Sequence, residues 1–118
     1  MMKILAASLL ILITSSAFAG GGPLLRLRAE IGGASCVQDA QCRTVAVGAK
    51  SCGGPEFYLP WSLIEGKADK IAALAKQYTD ARVEQIKQSG EQSTCQFLAD
   101  PGSVCKQKQC VLKDDKAM

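Results

Sequence analysis

The sequence predicts an α+β fold: a small disulfide-stapled domain with one long amphipathic helix packed on a short antiparallel sheet. Three observations carry this. Six cysteines fall within 118 residues, an even number for a domain too small to bury a large core. Apolar residues recur at three- and four-residue steps from Ile64 to Ile86, the period of a helix. Two shorter stretches, residues 25–31 and 43–50, alternate apolar and polar side chains, the period of a half-buried strand.

The chain opens with a short positive region at Lys3, an apolar run Ile4 to Ile13 and the small-x-small triplet Ala17-Phe18-Ala19, the three parts of a secretory signal peptide. Residues 1–19 are therefore expected to be removed. The apolar run is shorter than the roughly 20 residues a spanning helix needs, and no cysteine follows it for lipid attachment, so no membrane anchor is expected after cleavage. The mature chain, 118 less 19 or 99 residues, is expected in the periplasm or outside the cell. That is a setting in which cysteines pair. Its net charge, which falls from +3 to +2 when Lys3 leaves, is too small for a nucleic-acid footprint. With no histidine in the chain, neither a Ser-His-Asp triad nor an imidazole metal site can be built.

Gly20-Gly21-Gly22-Pro23 reads as a frayed tail, and Leu25 to Ile31 as the first strand, so residues 20–34 form an N-terminal tail and strand. The strand places Leu25, Leu27, Ala29 and Ile31 on one face and Arg26, Arg28 and Glu30 on the other. The stapled domain, which includes that strand, continues over 35–113. Asp39, between Cys36 and Cys42, suits a turn or the cap of a short helix; a calcium site would need more oxygen ligands than this segment offers. Arg43 to Lys50 is the second strand, and Gly48 within it marks a bulge or a close backbone approach. Cys52-Gly53-Gly54-Pro55 is a defined bend whose glycines can take positive φ, the second pushed toward extended backbone by the proline.

Phe57, Tyr58 and Trp61 are half of the six aromatic residues. They are expected mainly in the core, because a small domain needs their area; exposed, they would form a binding patch. Ser62 and Glu65 match a capping box, S-x-x-E, which would start the helix at Ser62. Ser89-Gly90 would stop it. Its apolar stripe holds Ile64, Ala68, Ile71, Ala75, Tyr78 and Ile86, with Leu74 alongside. Lys76 with Asp80, and Glu84 with Lys87, are spaced as helical ion pairs. Arg82 falls on the stripe and is expected to snorkel, or else to reach a buried carboxylate such as Glu56. Cys95 to Leu98 is expected to return to the core. Ser103 to Lys113 reads as a hairpin turning at Gln107-Lys108, which sets Cys105 opposite Cys110. Residues 114–118 are a polar tail.

All six cysteines, Cys36, Cys42, Cys52, Cys95, Cys105 and Cys110, are assigned to disulfides. The chain flanking the helix is long enough to let Cys52 and Cys95 clasp it. The remaining four close locally or interlock, and interlocking is favoured because longer closed loops stabilise more. No C-x-x-C occurs, which argues against zinc binding and thiol redox catalysis. No metal or other cofactor is expected.

The string CxxDxQC followed by CGGPxxYxxWS resembles a group of small, exported, cysteine-rich bacterial proteins. Its carriers here are Cys36, Asp39, Cys42, Gly48, Cys52, Gly53, Gly54, Pro55, Tyr58, Trp61, Ser62, Cys95, Cys105 and Cys110. The group has no known function, so the resemblance implies fold and location only. The C-x-x-D-x-x-C start is also similar to small disulfide-rich inhibitor modules. The expected function is therefore a binding module whose target is an extracytoplasmic protein or envelope component, with Glu56, Phe57, Tyr58 and Trp61 as the candidate surface. An inhibitor of an extracytoplasmic hydrolase is one concrete version. The alternatives are a small enzyme using Glu56 with Glu65 or Asp39, and a passive structural protein of the envelope.

Overall fold

Residues 22–113 are described by the structure, a computed structural model. The expected signal peptide at 1–19 and the expected polar tail at 114–118 lie outside the described residues. Elements follow in the order α1 (Pro23–Ile31), a 3-10 turn (Asp39–Gln41), β1 (Cys42–Val47), β2 (Phe57–Ser62), α2 (Ala68–Ser89), β3 (Ser103–Lys106) and β4 (Gln109–Leu112).

The first element corrects the expectation of a strand over Leu25 to Ile31. Pro23 stands at the first helical position, where its fixed φ and missing N–H cost nothing, so it opens a helix and is not part of a frayed tail. Leu, Arg, Ala and Glu dominate the segment, and all favour helix. Leu27 and Ile31 are four apart and buried, with Leu24 packed beside them. The same sequence thus satisfies both periods. Packing against α2 selects the helical one and leaves Leu25 exposed.

β1 and β2 form an antiparallel pair running from Cys42 opposite Ser62 to Val47 opposite Phe57. Gly48 ends β1 with φ +82, and a Cβ there would lie 2.5 Å from Glu56 Oε1. Only glycine fits both demands. Gly53 and Gly54 turn the connection at φ +96 and +82, so the proline does not hold Gly54 in the ordinary extended region.

β3 and β4 pair as expected, with Cys105 opposite Cys110 and Lys106 opposite Gln109. Gln107 and Lys108 take φ +51 and +63, the left-handed pair that matches strand twist in a two-residue hairpin. The segment after α1 runs along the other edge of β4. Cys36 N donates to Lys108 O at 3.1 Å, and Cys110 N donates to Ala34 O at 2.8 Å. The sheet of the expected fold is thus two short hairpins, β1-β2 and β3-β4.

The long helix begins later than the capping box predicts. Ser62 is the last residue of β2 and is fully buried, and Leu63 to Gly66 form a turn before Ala68. Glu65 does not cap its own helix. Its carboxylate accepts from Gly33 N at 2.9 Å and Ser35 N at 2.6 Å, where the chain leaves α1. Glu30 of α1 in turn accepts from Lys67 N, at the start of α2, at 3.1 Å. Each helix thus supplies or receives its end cap across space. Gly90 stops α2 in the left-handed region, φ +67 and ψ +18, as the sequence predicts. Ile71 and Ala75 are buried with Leu74 and Tyr78 packed alongside, while Ile64 and Ala68 are exposed. Lys76 pairs with Asp80 at 2.7 Å; Glu84 is instead 3.5 Å from the amide nitrogen of Gln88.

The core lies between α1, α2 and the two hairpins. It is built from Leu27, Ile31, Val47, Trp61 and Ile71 around the half-cystines Cys36, Cys42 and Cys110.

Candidate functional site

Glu56 precedes strand β2, and Phe57 to Trp61 lie within it; successive side chains point to opposite faces, and both faces hold buried residues. Trp61 is 7% exposed and Tyr58 9% exposed, while Phe57 is half-buried against the core. Tyr58 keeps its hydroxyl satisfied by donating to Leu98 O at 3.1 Å. The three aromatics are therefore interior residues and not an exposed patch. Glu56 is fixed as well: Arg82 Nε donates to its Oε1 at 2.6 Å and Ala49 N at 3.2 Å. Arg82 does not merely snorkel, since its Nη2 also donates to Glu91 Oε1 at 2.6 Å. Those bonds, to Glu91 and then Glu56, hold the guanidinium charged even more firmly than usual.

The other candidate carboxylates each have a backbone partner. Asp39 Oδ1 accepts from Cys105 N at 2.8 Å, tying the 3-10 turn to β3. Glu65 is held below the usual carboxylate range by the amides of Ser35 and Gly33. The groove between β1, the Gly-Gly-Pro bend and α2, of about 660 Å³, is lined by none of the three; its charged residues are Lys50 and Lys76.

The cysteines form three bonds: Cys36–Cys105, Cys42–Cys110 and Cys52–Cys95. The first two interlock and pin the chain around the 3-10 turn to the terminal hairpin. The sulfurs of Cys36, Cys42 and Cys105 lie within 4.8 Å of one another. Each is bonded to another sulfur, so none offers the thiolate that a metal requires.

The stretch expected to return to the core does the reverse. From Gly90 to Gly102 the chain runs without a hydrogen-bonded turn, strand or sharp bend, and no residue from 91 to 101 has a positive φ. Phe97 stands on it 83% exposed, more than any other large hydrophobic among the described residues. Yet the segment is fastened on both sides of that phenylalanine. Ser93 N donates to Ser51 Oγ at 3.0 Å, Cys95 is bonded to Cys52, and Lys50 Nζ donates to Gln96 O at 2.9 Å. Beyond Phe97, Leu98 O accepts from Tyr58, and Asp100 accepts from Thr44 Oγ1 at 2.8 and 2.7 Å while receiving Gly102 N at 2.8 Å.

Sequence reasoning missed this loop because its apolar residues, Phe97 and Leu98, suggested burial. The available signal was length. An irregular segment longer than about 12 residues is uncommon in a compact domain and is usually either functional or a linker; this one is fastened to the domain at several points.

Comparison of the chain with protein-family models, curated proteins and solved structures finds no match. No helix among the described residues is long and apolar enough to cross a membrane. Three disulfides in so short a chain are those of a small extracellular disulfide-rich domain.

Proposed function

We propose that this protein is an exported binding module and not an enzyme, and that it meets its partner through the loop Gly90–Gly102. One observation carries the reading: Phe97 is 83% exposed on a segment fastened at Ser93, Cys95, Gln96, Leu98 and Asp100. Leaving a phenylalanine in water forgoes about 1.5–3 kcal/mol of burial. A loop fixed before it binds loses little further freedom on binding, and this favours affinity. Aromatic anchors are typical energetic centres of interfaces. Asp39, Glu56 and Glu65 are each engaged in structural bonds, and this speaks against the pairing of Glu56 with Glu65 or Asp39 as a hydrolytic site.

Capture from a periplasmic or culture extract by the immobilised oxidised protein, with mass-spectrometric identification, tests this. Wild type is expected to retain one partner that Phe97→Ala loses, while Phe97→Ala keeps the native disulfide map. Equal capture by both would remove the loop from the interface. Trp61→Ala gives the contrast: it should cost about 3–5 kcal/mol of stability, as a core truncation does.

A further inference from the structure

We infer that the loop Ser93–Asp100 is a substrate-like inhibitor segment for a chymotrypsin-like serine endopeptidase, with Phe97 filling the enzyme's primary specificity pocket. This rests on the binding-module reading above and names the partner's chemistry.

A protease of this class binds an extended stretch of backbone and inserts one side chain into a pocket, apolar and aromatic-sized in chymotrypsin. The loop meets both requirements. On either side of Phe97 its domain-facing backbone bonds are made by the carbonyls of Gln96 and Leu98, with Ser93 N bonded farther back. Backbone groups alternate in direction along an extended chain, so those of Cys95 and Phe97 are turned outward. Among the described residues neither of these two makes a backbone hydrogen bond. The groups an enzyme would pair with are free, and the groups it does not need are the ones that brace the loop.

The bracing also separates an inhibitor from a substrate. The protease serine would attack the Phe97 carbonyl carbon, forming the acyl-enzyme and breaking the Phe97–Leu98 bond; the serine proton passes through the enzyme's histidine to the Leu98 nitrogen. In an ordinary substrate that amine diffuses away. Here the acyl side is held by the Cys52–Cys95 bond and by Lys50 on Gln96 O, and the amine side by Tyr58 on Leu98 O and Thr44 on Asp100. The Leu98 amine stays beside the acyl carbon at high effective concentration. It can re-form the peptide bond and return the proton to the serine before water completes hydrolysis.

The test uses the oxidised protein against chymotrypsin and trypsin as probes. Wild type should inhibit chymotrypsin and leave trypsin free. Phe97→Ala should weaken that inhibition by at least about 30-fold, the size of a hot-spot loss, and Phe97→Lys should transfer inhibition to trypsin. The Cys52→Ala, Cys95→Ala pair should turn the inhibitor into a substrate cleaved between Phe97 and Leu98. Three results would overturn the inference: no inhibition of either enzyme by wild type or Phe97→Lys, inhibition indifferent to residue 97, or rapid cleavage of the disulfide-intact wild type. Phe97-dependent capture of a partner in extract, with chymotrypsin unaffected, would leave the binding surface standing and remove the protease from it. Loss of both would remove the two together.

Discussion

Cys36, Cys42 and Cys110 are buried among the apolar side chains of the core, where their bonds tie the 3-10 turn and β1 to the terminal hairpin, whereas Cys52 and Cys95 are exposed and join the Gly-Gly-Pro bend to the irregular loop at the surface. Loop length does not explain the difference. The bonds close separations of 69, 68 and 43 residues, and the logarithmic dependence gives each about 4 kcal/mol in the chain-entropy model. What differs is the setting. The interior bonds are core side chains as well as cross-links. The outer bond holds an extended loop against the domain, where burial offers that loop little.

The sharpest way to break this comparison is to remove one bond of each kind. Replacing Cys42 and Cys110 by alanine should cost about 4 kcal/mol from the freed chain, with lost packing added. Typical stabilities are about 5–15 kcal/mol, so the urea midpoint should fall steeply or the cooperative transition vanish. The Cys52→Ala, Cys95→Ala pair should cost less, about 2 kcal/mol, because the exposed loop it releases gains freedom in the folded state too and so offsets part of the unfolded chain's gain. Its loss should appear in hydrogen exchange as faster exchange at the Ser93 amide, which is bonded to Ser51 Oγ, with the near-ultraviolet signal of buried Trp61 unchanged. Equal global losses for the two pairs would show that the loop is part of the cooperative core and would erase the distinction.

The same division separates what was legible in the sequence from what was not. The terminal hairpin, the Gly90 stop and most of the helical stripe are local: turn chemistry and side-chain period dictate them, and they stand where the sequence puts them. The first helix is not legible locally, because Leu24, Leu27 and Ile31 fit a helix as well as Leu25, Leu27 and Ile31 fit a strand. Only packing against α2 decides between them. Ser62 and Glu65 carry the local signature of a capping box, yet Ser62 completes β2 and Glu65 serves residues some thirty positions earlier. No nearest-neighbour pattern contains that. For Phe97 hydrophobicity alone points inward, but it says what a side chain prefers and not what the surrounding chain leaves room for.

Glu65 supplies the smallest and most specific test, because it ties the segment leading to Cys36 to the turn after β2 by hydrogen bonds instead of sulfur. Its carboxylate accepts from Ser35 N and Gly33 N, and these bonds hold its pKa below the usual carboxylate range in the folded state. A carboxyl group with a depressed folded pKa adds stability above its unfolded pKa and loses it as pH falls through the folded value. The melting temperature of the wild type should therefore drop through the acid range below the ordinary carboxylate pKa. Glu65→Gln keeps an acceptor but no charge. It should melt somewhat lower at neutral pH and show a shallower acid decline, so that the two curves converge at low pH. Parallel curves across the whole range would mean that the Glu65 charge contributes nothing, leaving the disulfides and apolar packing to hold the end of α1 in place.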